Sequence, residues 1–240
     1  MKRPAKPKRP VAPAPPVSPA APARKRILIV DDHPFMRAGL AQLIERQPDL
    51  MVWGEAGNPA EAQACLAAGG ADLLLTDMTM PGRSGLDFIK DLQALHPALP
   101  ILVVSMHDEV IYAERALRAG ARGYIMKEAG GENLLAAIRQ ILGGQVYVSA
   151  RMSGLLIDSF SGRRTRDSQS PFGVLTDREF EIYQLIGQGK NTREIATQLG
   201  LSSKTVDVHR SNLKAKLGLK DMTALVRHAV HWLETRGGTP

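Results

Sequence analysis

One cysteine, Cys65, stands in the 240-residue chain. A lone thiol makes no internal disulfide and no thiolate zinc cluster. No apolar run approaches the roughly 18–20 residues that cross a bilayer, so no membrane-spanning segment is expected. The six histidines form no HxxxH pair. Residues 1–26 lack acidic residues altogether; they hold 8 basic residues and 8 of the 16 prolines. They also lack an apolar h-region, so they do not read as a secretory signal. Proline removes backbone donors and fixes φ, so residues 1–25 are expected to be a disordered or polyproline-like tail. A sharper reading makes this tail an arm that gains non-specific DNA affinity by releasing counterions.

What remains is ordinary for a soluble chain: 44% hydrophobic and 23% charged, enough for one large domain or two small ones. The net charge of +7 is unevenly spread, with +8 over residues 1–26, −6 over 27–147 and +5 over 148–240. An acidic middle beside a basic end points to two domains with different partners, a polyanion for the basic one.

From residue 27 short apolar runs alternate with longer amphipathic stretches. The runs are Ile27–Val30, Met51–Trp53, Leu73–Leu75, Ile101–Val104 and Tyr124–Met126. Helical patterns fall near 34–47, 59–69, 85–95, 109–119 and 131–142. Most runs are unbroken, as in strands buried on both faces. Five strand–helix units with short connections predict a five-stranded, doubly wound parallel sheet between two layers of helices. Ligands of such sheets bind at the carboxyl ends of the strands. Those ends carry Asp31 and Asp32, Asp77, Ser105 and Lys127. Three clustered carboxylates need a cation, and oxygen ligands with room for water or phosphate suit Mg²⁺. A carboxylate nucleophile, Mg²⁺ and a lysine together describe phosphoryl transfer to an aspartate.

Val30-Asp31-Asp32-His33, Thr76-Asp77-Met78-Thr79-Met80-Pro81-Gly82, Ser105 and Lys127 resemble the receiver domain of two-component response regulators, in full order over residues 26–145. The resemblance implies a flavodoxin-like fold with Asp77 as phosphoacceptor. It implies Mg²⁺ on Asp32, aided by Asp31, with Asp77 and the Thr79 carbonyl completing the site. Lys127 would pair with the phosphoryl oxygens, Ser105 would move to hydrogen-bond them, and Tyr124 would follow as a rotating aromatic. The phosphoryl charge would bias the surface of the last two strand–helix units. Glu128 departs from the family, which often has proline after the lysine. His33 and His107 read as loop residues flanking the crevice, with His107 beside the path of an attacking water. Cys65 reads as a small buried filler on an Ala-rich helix.

Residues 148–173 read as a linker, polar and rich in chain breakers after a short apolar pattern at Met152, Leu155, Leu156 and Phe160. Beyond it, helix starts are marked by Thr176-Asp177-Arg178-Glu179, Asn191-Thr192-Arg193-Glu194, Ser202 and Asp221, and ends by Gly187, Gly189, Gly200 and Gly218. Only Gly200-Leu201-Ser202 separates the second and third helices, a helix-turn-helix spacing. In the third helix Val206, Leu213 and Leu217 share a stripe that must be buried. The opposite face carries Lys204, Val208, Ser211 and Ala215, with Arg210, Lys214, Lys216 and His209 on its flanks. A slim face between cations suits a helix in the major groove.

Leu175-Thr176-Asp177-Arg178-Glu179, Gly189, Glu194-Ile195-Ala196, Leu201-Ser202, Thr205-Val206, His209 and Lys216-Leu217-Gly218 look like the LuxR-type helix-turn-helix domain, an all-α four-helix unit over residues 174–236. The resemblance puts Asp207, Val208 and Ser211 at base-reading positions; Thr205, His209, Arg210 and Lys214 are the expected phosphate contacts. Asp207 stands where relatives often have lysine, and it suits cytosine N4 rather than a guanine edge. The last helix, with Leu225, Val226, Ala229 and Trp232, is apolar enough to complete the core and to form a dimer contact.

A receiver over 26–147 joined to such a module resembles the NarL/FixJ class of response regulators. That implies a cytoplasmic bacterial transcription factor with a histidine kinase, double-stranded DNA, a second copy of itself and RNA polymerase as partners, and a switch rather than an enzyme. The resting receiver is expected to mask the DNA-binding helices. Two alternatives stand beside this reading. One is DNA binding without phosphorylation. The other is a Mg²⁺-dependent aspartyl-phosphate phosphatase, disfavoured because Thr79 occupies the place of its second acid.

Overall fold

A computed structural model describes residues 23–80, 83–154 and 174–237. The expectations for most of the tail, for Pro81 and Gly82, and for the linker beyond residue 154 lie outside them. Strands β1 (Lys25–Val30), β2 (Leu50–Ala56) and β3 (Leu73–Thr76) open the first half, with α1 (Pro34–Glu45) and α2 (Pro59–Ala67) between them. A short hairpin follows, β4 (Thr79–Met80) and β5 (Arg83–Ser84). Then come α3 (Gly85–Leu95), β6 (Ile101–Ser105), α4 (Glu109–Ala119), β7 (Gly123–Met126), a 3-10 turn (Lys127–Ala129) and α5 (Gly131–Leu142).

The main sheet has the order β2-β1-β3-β6-β7 with every pairing parallel. Alternate side chains of a strand face opposite layers. Ile27, Ile29, Leu73, Leu75, Leu102, Val104 and Ile125 are therefore buried against α1 and α5. Leu28, Val30, Leu74, Ile101, Val103 and Tyr124 are buried on the other face, with Leu66 of α2, Phe88 and Ile89 of α3 and Ala113 of α4. This two-sided burial is what the unbroken apolar runs anticipated. The order reverses between β1 and β3, and there the carboxyl ends of the strands open a crevice.

The hairpin and the 3-10 turn were absent from the sequence reading. Two-residue strands are too short to show a period, and Glu128 simply continues the chain in a tight turn. Residues 150–154 are helical and bury Met152.

The second half has four helices, α6 (Asp177–Gly187), α7 (Thr192–Leu199), α8 (Ser203–Lys216) and α9 (Met222–Gly237). Their starts are the anticipated ones. Thr176 and Asn191 make reciprocal capping boxes with Glu179 and Glu194. Ser202 Oγ accepts from the Thr205 amide, and Asp221 Oδ1 from the Ala224 amide. Gly200 ends α7 at φ +63°, the left-handed region that a side chain resists, and so makes the sharp helix-turn-helix corner. Gly187 is the last residue of α6, as anticipated. It has a second role: a Cβ there would fall 2.7 Å from the Ala229 carbonyl oxygen, so its bareness lets α9 close on α6.

Candidate phosphoryl crevice and nucleic-acid interface

Each strand of the crevice delivers one group at its carboxyl end. The Asp31 amide donates to Ala56 O across to β2, and the Asp77 amide to Val30 O across to β1, so the ladder itself positions both carboxylates. Asp31 and Asp77 are 2% and 5% exposed. Lys127 Nζ lies 2.7 Å from Asp31 Oδ2 and 2.8 Å from Asp77 Oδ2, with its side chain 5% exposed. The remaining oxygens take backbone donors. Asp31 Oδ1 accepts from the His33 amide at 2.8 Å; Asp77 Oδ1 accepts from Met78 at 2.6 Å and Thr79 at 3.3 Å. Burial opposes the charge on Lys127, but hydrogen bonds to Asp31 and Asp77 raise its pKa above the ordinary lysine value, keeping it an ammonium.

Asp32 completes an acidic group with Asp31 and Asp77, and His33 joins it: one ligand atom from each of the four lies within 4.8 Å of the others. His33 Nδ1 is 2.8 Å from Asp32 Oδ1 and 3.3 Å from Asp31 Oδ1. His33 lies in the loop after β1 and flanks the crevice as expected, its ring standing beside the carboxylates. Asp32 Oδ1 is buried with no hydrogen-bond partner among the described residues, although His33 Nδ1 is close. A buried carboxylate oxygen without a donor, beside two more carboxylates, fits a small hard cation.

Ser105 and Tyr124 are fully buried and converge on His107. Ser105 Oγ accepts from the His107 amide at 3.1 Å, and the Tyr124 hydroxyl donates to the His107 carbonyl at 2.8 Å. Thr79 sends its side chain the same way, Oγ1 standing 2.7 Å from His107 Nε2. Burial lowers the His107 pKa, and the Asp77 charge only partly offsets it.

Gly85 supports this crevice from behind. A Cβ at Gly85 would lie 2.2 Å from the Met78 carbonyl oxygen, a backbone atom that cannot swing aside. Gly85→Ala is therefore expected to push Met78, and with it Asp77, out of place. A loss of about 1–3 kcal/mol is expected in thermal unfolding, with slower phosphate uptake by intact mass. Wild-type values in both would show that the loop yields freely.

In the second half α8 buries Val206 and Leu213 and presents Lys204, Asp207, Val208 and Ser211 to solvent, Val208 at 53% exposure. The receiver half does not cover this face, contrary to the expected masking. Thr205, His209, Arg210 and Lys214 are half-buried along its flanks. Three of the candidates, Thr205, Asp207 and Arg210, already hold partners, Thr205 Oγ1 standing 2.7 Å from Ser202 Oγ. Arg210 donates to Thr192 Oγ1 at 2.6 Å, and Thr192 Oγ1 lies 3.3 Å from Asp207 Oδ1, a link that joins α7 to α8. Lys216, though exposed, pairs with Glu179 Oε2 at 2.6 Å.

Residues 27–139 match the response regulator receiver domain, and residues 173–229 match the bacterial regulatory proteins of the luxR family. The oxygen regulatory protein NreC of Staphylococcus aureus is 37% identical over 209 residues, 85% of this chain and 96% of its own length. The chain belongs to the NarL/FixJ class of two-component response regulators. Among solved structures, RcsB of Salmonella typhimurium superimposes with a TM-score of 0.54 at 26% identity, covering 85% of this chain and 97% of that one. RcsB dimers bound to two parallel DNAs match with a TM-score of 0.54 at 25% identity, over the same shares of the two chains. This NarL/FixJ-class chain is a phosphorylation-controlled, DNA-binding transcription regulator. No described helix of it is long and apolar enough to cross a membrane.

Proposed function

We propose that Asp77 is the phosphoacceptor of this regulator and that a histidine kinase is its donor. The observation that carries the reading is Lys127 Nζ held between Asp31 and Asp77 at 2.7 and 2.8 Å in a buried crevice. An Asp77 carboxylate oxygen attacks phosphorus, the P–N bond to the donor histidine breaks, and the imidazole keeps the electron pair. Asp31, Asp32, Asp77 and the Thr79 carbonyl would hold Mg²⁺, which neutralises charge on the phosphoryl oxygens. Lys127 moves its hydrogen bond from Asp77 to a phosphoryl oxygen, Ser105 donates to another, and Tyr124 follows Ser105.

The receiver spans 26–147 and the DNA-binding domain 174–236, joined by a linker over 148–173, in the bacterial cytoplasm. Helix α8 enters the major groove, with Lys204, Asp207, Val208 and Ser211 toward base edges and Thr205, His209, Arg210 and Lys214 toward phosphates. Asp207 and Arg210 trade their intramolecular partners for DNA. A second copy seats on the outward groove of α9, lined by Met222, Val226 and Val230; the DNA-bound RcsB dimers supply the precedent.

Treatment with a small-molecule phosphodonor and Mg²⁺ tests this. Wild type gains one phosphoryl group by intact mass and binds operator DNA more tightly; Asp77→Ala gains none and does not respond. A wild type that stays unmodified overturns the reading. The exposed face of α8 favours one second reading, DNA binding that needs no phosphate, and full affinity of Asp77→Ala would establish it.

A further inference from the structure

The turn between β1 and α1 is fixed by its own sequence. Pro34 opens α1, and a residue that precedes proline is held in extended backbone. His33 accordingly stands at φ −89° and ψ 108°, outside the helix as its N-cap. Two further bonds fasten the turn. The His33 amide donates to Asp31 Oδ1 at 2.8 Å, and Arg37, one turn into α1, donates through Nη1 to the Asp31 carbonyl at 2.6 Å. The backbone that carries the His33 ring is thus set before any ligand arrives.

The ring approaches the acids through one nitrogen. His33 Nδ1 is 2.8 Å from Asp32 Oδ1 and 3.3 Å from Asp31 Oδ1. Ligand atoms about 2.1 Å from one six-coordinate ion stand about 3.0 Å apart at neighbouring positions, and both spacings suit that edge. Lys127 engages Oδ2 of Asp31 and of Asp77, so on Asp31 it is Oδ1 that faces His33. Asp32 Oδ1 is buried and makes no hydrogen bond among the described residues, for all its closeness to Nδ1. A short contact without hydrogen-bond alignment is what two donor atoms show when both aim at a shared third point. The His33 side chain is 68% exposed, so an ion reaches this point from solvent.

We propose that His33 is a nitrogen ligand of the crevice metal, beside Asp31, Asp32 and Asp77, and that the crevice therefore favours a first-row transition cation over Mg²⁺. The inference rests on the crevice being the metal-assisted phosphoacceptor site. Mg²⁺ is a hard ion that takes oxygen and gains little from imidazole; Mn²⁺, Fe²⁺, Ni²⁺ and Zn²⁺ accept it increasingly well. With oxygen ligands alone the choice of ion follows abundance. An imidazole in the set gives this chain a preference of its own. The opposing reading makes His33 a cation that closes over the acids until an ion displaces it, and it has the opposite sign: removing the ring would then favour every ion alike.

Isothermal titration of the full chain with Mg²⁺ and, separately, with Ni²⁺ tests this, in buffer well above the ordinary histidine pKa so that the ring is free to bind. His228 and His231, three apart on α9, offer Ni²⁺ a second place. The crevice event is therefore the one that Asp32→Ala abolishes and that excess Mg²⁺ competes away. His33→Ala and His33→Asn are each expected to lose about 10-fold or more in Ni²⁺ affinity at the crevice, the least that loss of a direct ligand should cost. Both should hold Mg²⁺ within about 2-fold of wild type, which also shows that the crevice is folded. Equal losses for the two ions would make His33 a prop of the turn. Equal gains would make it a displaced cation, and unchanged Ni²⁺ affinity a bystander. Each of these refutes His33 as a ligand, while Mg²⁺ binding by wild type keeps the metal-assisted crevice. A wild type that binds neither ion there sinks both readings.

Discussion

Lys127→Met is expected to destabilise the receiver by about 3–5 kcal/mol in metal-free buffer. The ammonium lies between two nearly buried carboxylates, and methionine keeps its bulk while removing the charge. Asp31 and Asp77 are then left facing each other, with a third acid, Asp32, alongside. Two like charges taken out of water without a counter-ion are among the costliest arrangements a fold can hold. The melting temperature of the receiver should fall by on the order of 10 °C. Added Mg²⁺ should restore much of this, and should raise the variant's melting temperature more than that of wild type, because the ion replaces the missing charge. Thermal unfolding with and without Mg²⁺ reads both effects. A variant as stable as wild type in chelator would mean that the crevice is hydrated and the lysine is not needed to keep it closed.

Phe180→Ala acts on the other half with comparable force. Phe180 is fully buried and touches Tyr112 of α4 and Trp232 on α9. Removing such a ring costs about 3–5 kcal/mol. A domain of this size holds only a few kcal/mol of stability in all, at roughly 0.05–0.15 kcal/mol per residue. The helix-turn-helix unit is therefore expected to unfold largely on its own while the sheet persists. Circular dichroism should show loss of helix, DNA binding should vanish in a gel-shift assay, and phosphate uptake at the receiver should continue. Wild-type DNA affinity in this variant would place the centre of the helical core elsewhere.

Legibility in the sequence followed the length of the pattern. Asp31, Asp77, Ser105 and Lys127 stood out because each ends an apolar run, and a parallel sheet gathers strand ends at one edge. The four helices of the second half announced themselves through caps that work within three residues: Thr176 with Glu179, Asn191 with Glu194. His33 could be placed beside the crevice from its position after Asp32, but its 2.8 Å approach to Asp32 depends on the folded turn after β1. The contact between α4 and α6 was invisible for a related reason. Arg115 and Asp177 are 62 positions apart and belong to no shared period. Tyr112 falls within the helical pattern at 109–119, which marks the helix and not what its ring will touch. Gly187 ends its helix as its place in the sequence suggests, but nothing local shows that it also admits a neighbouring helix.

The uncovered outer face of α8 bears on how such a regulator behaves as its copy number changes. A reading surface that the receiver leaves uncovered obeys mass action, so promoter occupancy is expected to climb with abundance even before a signal arrives. Raised gene dosage should then partly imitate stimulation.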